Sequence, residues 1–198
     1  MSFLDELSLR LGIPYRFAPL PEGCKALLLD GTALINRNLT PEQAHWSFCH
    51  EAAHLQLGHA RHLPRDEFEE REQEREANLL ASELLLPEAQ FRPHSNESLS
   101  ELKRTFPYAS YEALARRRLY FRPGLLTICD NGKVTARLAP DGWNSPRALT
   151  PLEADAIRTC YRERADIHLR RNEMRVEATY VDQGRGVLRV IVFLEGGC

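Results

Sequence analysis

Two histidines four residues apart, with a glutamate directly after the first, stand in the segment Cys49-His50-Glu51-Ala52-Ala53-His54. On a helix, residues four apart share a face, so both imidazoles can reach one cation. Zinc accepts imidazole nitrogen readily and, in catalytic sites, keeps one position open for water. Such a water, its pKa lowered towards about 7, is a nucleophile at neutral pH. Glu51 is placed beside it to take its proton. The pattern points to metal-assisted hydrolysis. H-E-x-x-H also arises by chance, and the bland alternative is a pair of half-exposed histidines next to a surface glutamate.

A zinc site of this kind needs a third protein ligand. The metzincin spacing would require Gly at position 57 and His at position 60, where the chain has Leu57 and Ala60, so that class is excluded. His59 and His62 are close in sequence, but they follow a helix-ending glycine, and each reads as a surface residue with the metal as the alternative. The stronger reading is Glu74, in Glu74-Arg75-Glu76-Ala77-Asn78-Leu79-Leu80-Ala81. Residues 74, 77, 78 and 81 share a helix face, and Ala77 and Ala81 let that helix approach closely. Asn78, one turn beyond Glu74, can hydrogen-bond a ligand histidine and fix its tautomer. Against Glu74 stands its neighbourhood, since Glu70, Glu72 and Glu76 make the stretch acidic throughout.

The elements that must position these residues are legible from their ends. Thr40-Pro41-Glu42-Gln43 starts a helix with a hydroxyl cap, proline in the first turn and Gln three residues on; Gly58 after Leu57 ends it. A second long helix spans 66–86 and stops at Pro87. Ser2 with Asp5 caps an N-terminal helix, and 25–36 forms a hairpin around Asp30-Gly31. Segments 99–105 and 111–120 have the spacing of a helix-turn-helix. Beyond them, strands 125–129 and 133–138 flank Asp130-Asn131-Gly132, a helix begins at Thr150, and strands 174–181 and 187–193 flank a Gly-containing turn. The expected class is α+β, in three parts: a core over 1–95, a helix-turn-helix-like segment over 96–121, and a small α+β module over 122–198.

Composition bounds the rest. The 198 residues, 43% hydrophobic and 27% charged, are those of an ordinary globular chain. No apolar run approaches the roughly 20 residues that span a bilayer. The N-terminus lacks a basic stretch followed by an apolar one, and five scattered cysteines show no CxxC spacing, so the expected compartment is the cytoplasm, without membrane association. The net charge of −2 gives no global attraction to nucleic acid. Locally, 41–90 carries 11 acidic against 4 basic residues, and 101–122 carries 6 basic against 2 acidic.

His50 to His59, followed by Glu74-Arg75-Glu76-Ala77-Asn78 and Leu84-Leu85-Leu86-Pro87, resembles the ImmA/IrrE family of metallopeptidases over roughly 20–120. Leu80 stands where Phe is common in that family, and Leu86 where Met is. The resemblance implies a minimal thermolysin-like (gluzincin-type) core, His50, His54 and Glu74 as ligands of Zn2+ (Mn2+ or Fe2+ being alternatives for such a set), and Glu51 as general base. It also implies a protein substrate, a helix-turn-helix repressor whose cleavage relieves repression of phage, mobile-element or stress genes. Some members of that family carry a C-terminal sensory module, and the hairpin–helix–hairpin pattern alone is what suggests one over 122–198, beyond the reach of the resemblance. The substrate is expected to lie extended along the edge of strand 32–36. Tyr108, Tyr111 and Tyr120 are the tyrosines weighed for the oxyanion, each against a packing role, and Cys49 reads as a buried thiol. Two rivals remain: a DNA-binding regulator using Arg116, Arg117, Arg118 and Arg122 on phosphates, and a non-cleaving regulatory protein that keeps the metal. The oligomeric state is not legible.

Overall fold

The structure is a computed structural model and describes residues 1–59, 64, 66–140, 148–184 and 186–196. It divides into two compact units, Met1–Phe91 with Tyr108–Ser110, and Arg92–Pro107 with Tyr111–Cys198. The described residues form an α+β chain of seven helices and two sheets.

In the first unit, local chemistry fixes both ends of the central helix α2 (Pro41–Leu57). Thr40 Oγ1 accepts from the Gln43 N–H at 3.3 Å, and Gln43 Oε1 accepts from the Thr40 N–H at 3.0 Å, satisfying two N–H groups that the helix itself leaves free. At the other end Gly58 adopts φ 77°, and its N–H bonds back to the carbonyls of His54 and Leu55. The inner face buries Phe48, Cys49, Ala52 and Ala53 completely. Helix α3 (Glu67–Leu85) packs along α2 and buries Ala77 and Ala81, whose small side chains allow close approach. Asp66 caps α3 by accepting from the N–H groups of Phe68 and Glu69, both at 2.9 Å. Helix α1 (Phe3–Leu11) also packs on α2, with the Ser2–Asp5 capping box in place. The short α4 (Glu88–Phe91) follows Pro87.

The first sheet has the order β1-β3-β2, made of β1 (Tyr15–Ala18), β2 (Ala26–Leu29) and β3 (Thr32–Asn36). The β2–β3 hairpin turns at Asp30 (φ 50°) and Gly31 (φ 74°), the two left-handed positions that the Asp-Gly pair supplies. Strand β1 pairs parallel to β3, from Tyr15 opposite Ala33 to Ala18 opposite Asn36. This overturns one expectation: β3 is the central strand and offers no edge to a substrate, because β1 occupies the side left open by the hairpin. The buried Asn36 anchors the approach to α2, its amide donating to the Cys24 carbonyl at 2.9 Å and its oxygen accepting from the Asn38 N–H at 3.1 Å.

The second unit is built on an antiparallel five-stranded sheet of order β5-β4-β8-β7-β6, from β4 (Leu125–Asp130), β5 (Lys133–Leu138), β6 (Ile167–Arg171), β7 (Met174–Asp182) and β8 (Leu188–Glu195). Helix α7 (Pro151–Glu163) packs on it over a core that includes Cys129, Ala156, Cys160, Ala178, Val190 and Val192. Helices α5 (Leu99–Thr105) and α6 (Tyr111–Phe121) belong to this unit, and α6 packs on β4 and β8. The arginines weighed for phosphate contact are engaged within it. Arg118, 3% exposed at its side chain, pairs with Glu177 at 2.7 Å and lies over the Phe193 ring. Arg117 is buried and lies over Tyr120 and Phe121, Arg116 pairs with Glu112 at 2.9 Å, and Arg122 pairs with Glu195.

The fully buried Glu153 anchors α7 to the sheet. Arg137 meets it in a fork, Nη1 to Oε1 at 2.8 Å and Nη2 to Oε2 at 3.0 Å, and the Thr150 N–H donates to Oε2 at 2.8 Å. Burial alone pushes the Glu153 carboxyl up, but the hydrogen bonds from Arg137 and Thr150 outweigh it and hold the group below its ordinary value. A carboxyl depressed on folding contributes stability above its unfolded value, here 4.5, and that contribution is lost as pH falls through the lower folded value. Arg137→Met leaves the carboxylate buried and alone, and is expected to cost the second unit about 3–5 kcal/mol. Urea unfolding at pH 7 and at pH 4 checks it: the deficit should be large at pH 7 and smaller under acid.

Candidate metal centre

Helix α2 carries His50 and His54 one turn apart near its C-terminal end, and α3 carries Glu74. The three side chains converge. His54 Nε2 lies 3.1 Å from His50 Nε2 and 3.2 Å from Glu74 Oε1, and His50 Nε2 lies 3.3 Å from Glu74 Oε2. Among the described residues these three form a group able to hold a metal ion. The donor set fits zinc. Nitrogen and oxygen ligands about 2.0–2.1 Å from a tetrahedral ion stand about 3.3–3.4 Å from one another. The observed separations are close to those edges. The group offers two imidazoles and a carboxylate, the chemistry zinc prefers, and leaves a fourth position for water.

The acidic stretch of α3 is resolved into separate tasks. Glu72 pairs with Arg75 at 3.0 Å, Glu76 pairs with His59 at 3.3 Å, and Glu74 faces both histidines. The His50 and His54 side chains are 20% and 18% exposed while Glu74 is 51% exposed, so the two imidazoles are the shielded donors and the carboxylate the solvated one. Burial and the neighbouring His50 hold His54 below the ordinary imidazole value, which keeps it neutral and able to offer a lone pair. Glu51 is half-buried on α2, and burial, with the negative charge of Glu74 second, pushes its carboxyl up to about 7. That value suits a group that must take up a proton and give it back near neutral pH.

Other expected residues fall elsewhere. Asn78 is exposed on α3, and the partner of His54 Nδ1 is His59 Nδ1, at 3.1 Å. His50 Nδ1 is buried without a hydrogen-bond partner. His62 lies outside the described residues. Cys49 is fully buried, and burial pushes its thiol up to about 12, so it is inert. Tyr108 stacks on Phe3 with ring centroids 3.6 Å apart, and its carbonyl meets His45 Nδ1 at 2.9 Å. Tyr111 lies under the Lys103 ammonium at 5.8 Å, and Tyr120 is exposed beside Arg117. Sequence reasoning missed the engagement of His59. Its signal was the left-handed glycine before it, which reverses the chain and returns the next side chain to the helix it has just left.

Residues 10–118, which contain every residue of this cluster, match the family model of peptidase family M78, described as the IrrE N-terminal-like domain. The chain belongs to this peptidase family. A comparison with curated proteins finds no match. The family match spans more than half of the chain and includes both the H-E-x-x-H helix and the helix that carries Glu74. As an M78 peptidase domain, the chain acts on a protein substrate, and His50, His54 and Glu74 form its possible metal site. No helix of the described residues is long and apolar enough to cross a membrane.

Proposed function

We propose that this chain is a zinc-dependent endopeptidase of thermolysin-like core, acting in the cytoplasm on a helix-turn-helix repressor and so relieving repression. The observation that carries the reading is the meeting of Glu74 with both histidines of a helix that also bears Glu51. His50, His54 and Glu74 would hold the zinc, which when bound would supply Lewis-acid polarisation of the scissile carbonyl and lower the pKa of a water. Glu51 takes a proton from that water and passes it to the leaving amine nitrogen. Its half-buried place keeps the transferred proton from being lost to bulk solvent. Manganese or iron suits the same two-histidine, one-carboxylate set, so the metal is part of the proposal.

A direct DNA-binding role is disfavoured by the basic run itself. Arg117 and Arg118 are buried, and Arg116 and Arg122 are paired with glutamates, so the charge that would meet phosphates is committed inside the unit. The second unit has its own core, which is the condition for residues 122–198 to serve as a regulatory module.

The test is elemental analysis of the purified protein, followed by incubation of the metal-loaded form with helix-turn-helix repressors from the same genome, any encoded next to it first. About one zinc per chain and a single limited cut in one repressor are expected. A stoichiometric metal other than zinc corrects the cofactor alone. A loaded protein that leaves every repressor intact overturns the substrate, and no metal after reconstitution overturns the peptidase mechanism.

A further inference from the structure

Beyond the three metal-facing side chains, a line of hydrogen bonds runs away from the centre. His54 Nδ1 faces His59 Nδ1 at 3.1 Å, and His59 Nε2 faces Glu76 Oε2 at 3.3 Å. Both imidazoles have ring nitrogens that either donate or accept, but the chain leaves one consistent assignment. If His54 Nε2 is a ligand atom, it carries no proton, and the proton of the neutral ring sits on Nδ1. His54 Nδ1 therefore donates, and His59 Nδ1 accepts. The proton of His59 is then on Nε2, where the carboxylate of Glu76 accepts it. Each of the four nitrogens and the carboxylate has one role, and none is left over.

From this line we infer that His59, oriented by Glu76, is a positioning residue that holds His54 in the tautomer whose Nε2 can bind the metal. The inference rests on the reading of His54 as a ligand. The backbone explains how a residue outside α2 reaches the flank of a residue within it. Gly58 at φ 77° ends the helix and turns the chain, and its N–H bonds the His54 carbonyl, tying the turn to the residue that the next side chain must reach. The His59 ring then meets His54 edge to face, with centroids 5.2 Å apart and planes at 66°. The His59 side chain is 11% exposed and Glu76 is 52% exposed, so the line passes from the centre through a shielded ring to a carboxylate at the surface. Glu76 comes from α3, two residues after Glu74, so one helix supplies both the metal-facing carboxylate and the carboxylate that ends the line. Without His59, the exchange of the His54 proton between its two nitrogens is no longer biased, and the tautomer with a blocked Nε2 gains population.

The experiment measures zinc affinity by chelator competition on wild type, His59→Ala, Glu76→Ala, the double variant and His59→Gln, with Glu74→Ala as a reference. Outer partners of metal-binding histidines are worth roughly 10–100-fold in affinity. His59→Ala is expected to lose that much, Glu76→Ala less, and the double variant no more than His59→Ala, because Glu76 acts only through His59. His59→Gln, which offers a carbonyl oxygen to the His54 N–H, should recover part of the loss. In zinc-loaded wild type the His54 Nδ1–H proton should be visible by NMR, and it should exchange away in His59→Ala. Unchanged affinity in His59→Ala, or additive losses in the double variant, overturns the relay while leaving the metal site standing. A loss as large as that of Glu74→Ala makes His59 a ligand and also overturns it. If wild type takes up no zinc, or Glu74→Ala holds it undiminished, the reading of the site fails and the relay fails with it.

Discussion

Glu51→Gln is expected to retain the metal and to lower peptide cleavage by about 10²–10⁴-fold, the usual worth of a positioned general base. The substitution keeps the size and hydrogen-bonding reach of the side chain and removes only its capacity to take up a proton. Neither metal-facing histidine is hydrogen-bonded to Glu51, so the three-donor cluster is left as it was. The environment of Glu51 gives the prediction its strength. A fully solvated glutamate would have little affinity for a proton at neutral pH, whereas burial, the larger cause, raises this carboxyl above its ordinary value. The measurement pairs metal content with the initial rate on a peptide or repressor substrate. Cleavage near the wild-type rate at full metal occupancy would show that another group moves the proton.

Where the determinants were local, the sequence was sufficient. The ends of α2 follow from Thr40, Pro41, Gln43 and Gly58, whose effects act within one turn, and the structure has the helix over those bounds. The Asp30-Gly31 and Asn131-Gly132 turns are of the same kind, with positive φ at both residues of each pair. What stayed hidden depended on distant partners. Strand β1 is four residues long and lacks a regular alternation of buried and exposed positions; it is a strand because β3, some eighteen residues on, pairs with it. Missing β1 is what made β3 look like an edge. Strand β6 carries two arginines and a histidine among five residues and is held by β7 alone, so its composition resembles that of a polar loop. The run Arg116-Arg117-Arg118 looked available to phosphates because the acid that binds Arg118, Glu177, lies 59 positions away.

The same contrast applies within the site. His50 and His54 were legible because helix periodicity alone brings them together, and Glu51 because it directly follows His50 on the same helix. Glu74 needed a second helix and close packing, and the four alanines buried at 0% exposure along α2 and α3 are the sequence record of that approach. His59 could not be placed by periodicity, since it lies past the end of the helix, and only the geometry of Gly58 returns it to His54.

Glu74→Ala is expected to remove the metal. It takes away one of three protein donors, and the one that carries a full negative charge towards the cation. Since the loss of an outer hydrogen-bond partner costs roughly 10–100-fold in metal affinity, loss of a donor should exceed that range. The fold should survive, because Glu74 is half-exposed and makes no buried ion pair, while the helix–helix contact rests on Ala52, Ala53, Ala77 and Ala81. Neighbouring acids are poorly placed to substitute: Glu76 is turned to His59, and Glu72 to Arg75. Elemental analysis and circular dichroism on the same preparation separate the outcomes. A folded protein without zinc establishes Glu74 as the third donor, and cleavage should fall with the metal. A folded protein that keeps zinc at wild-type affinity moves the third donor to another side chain.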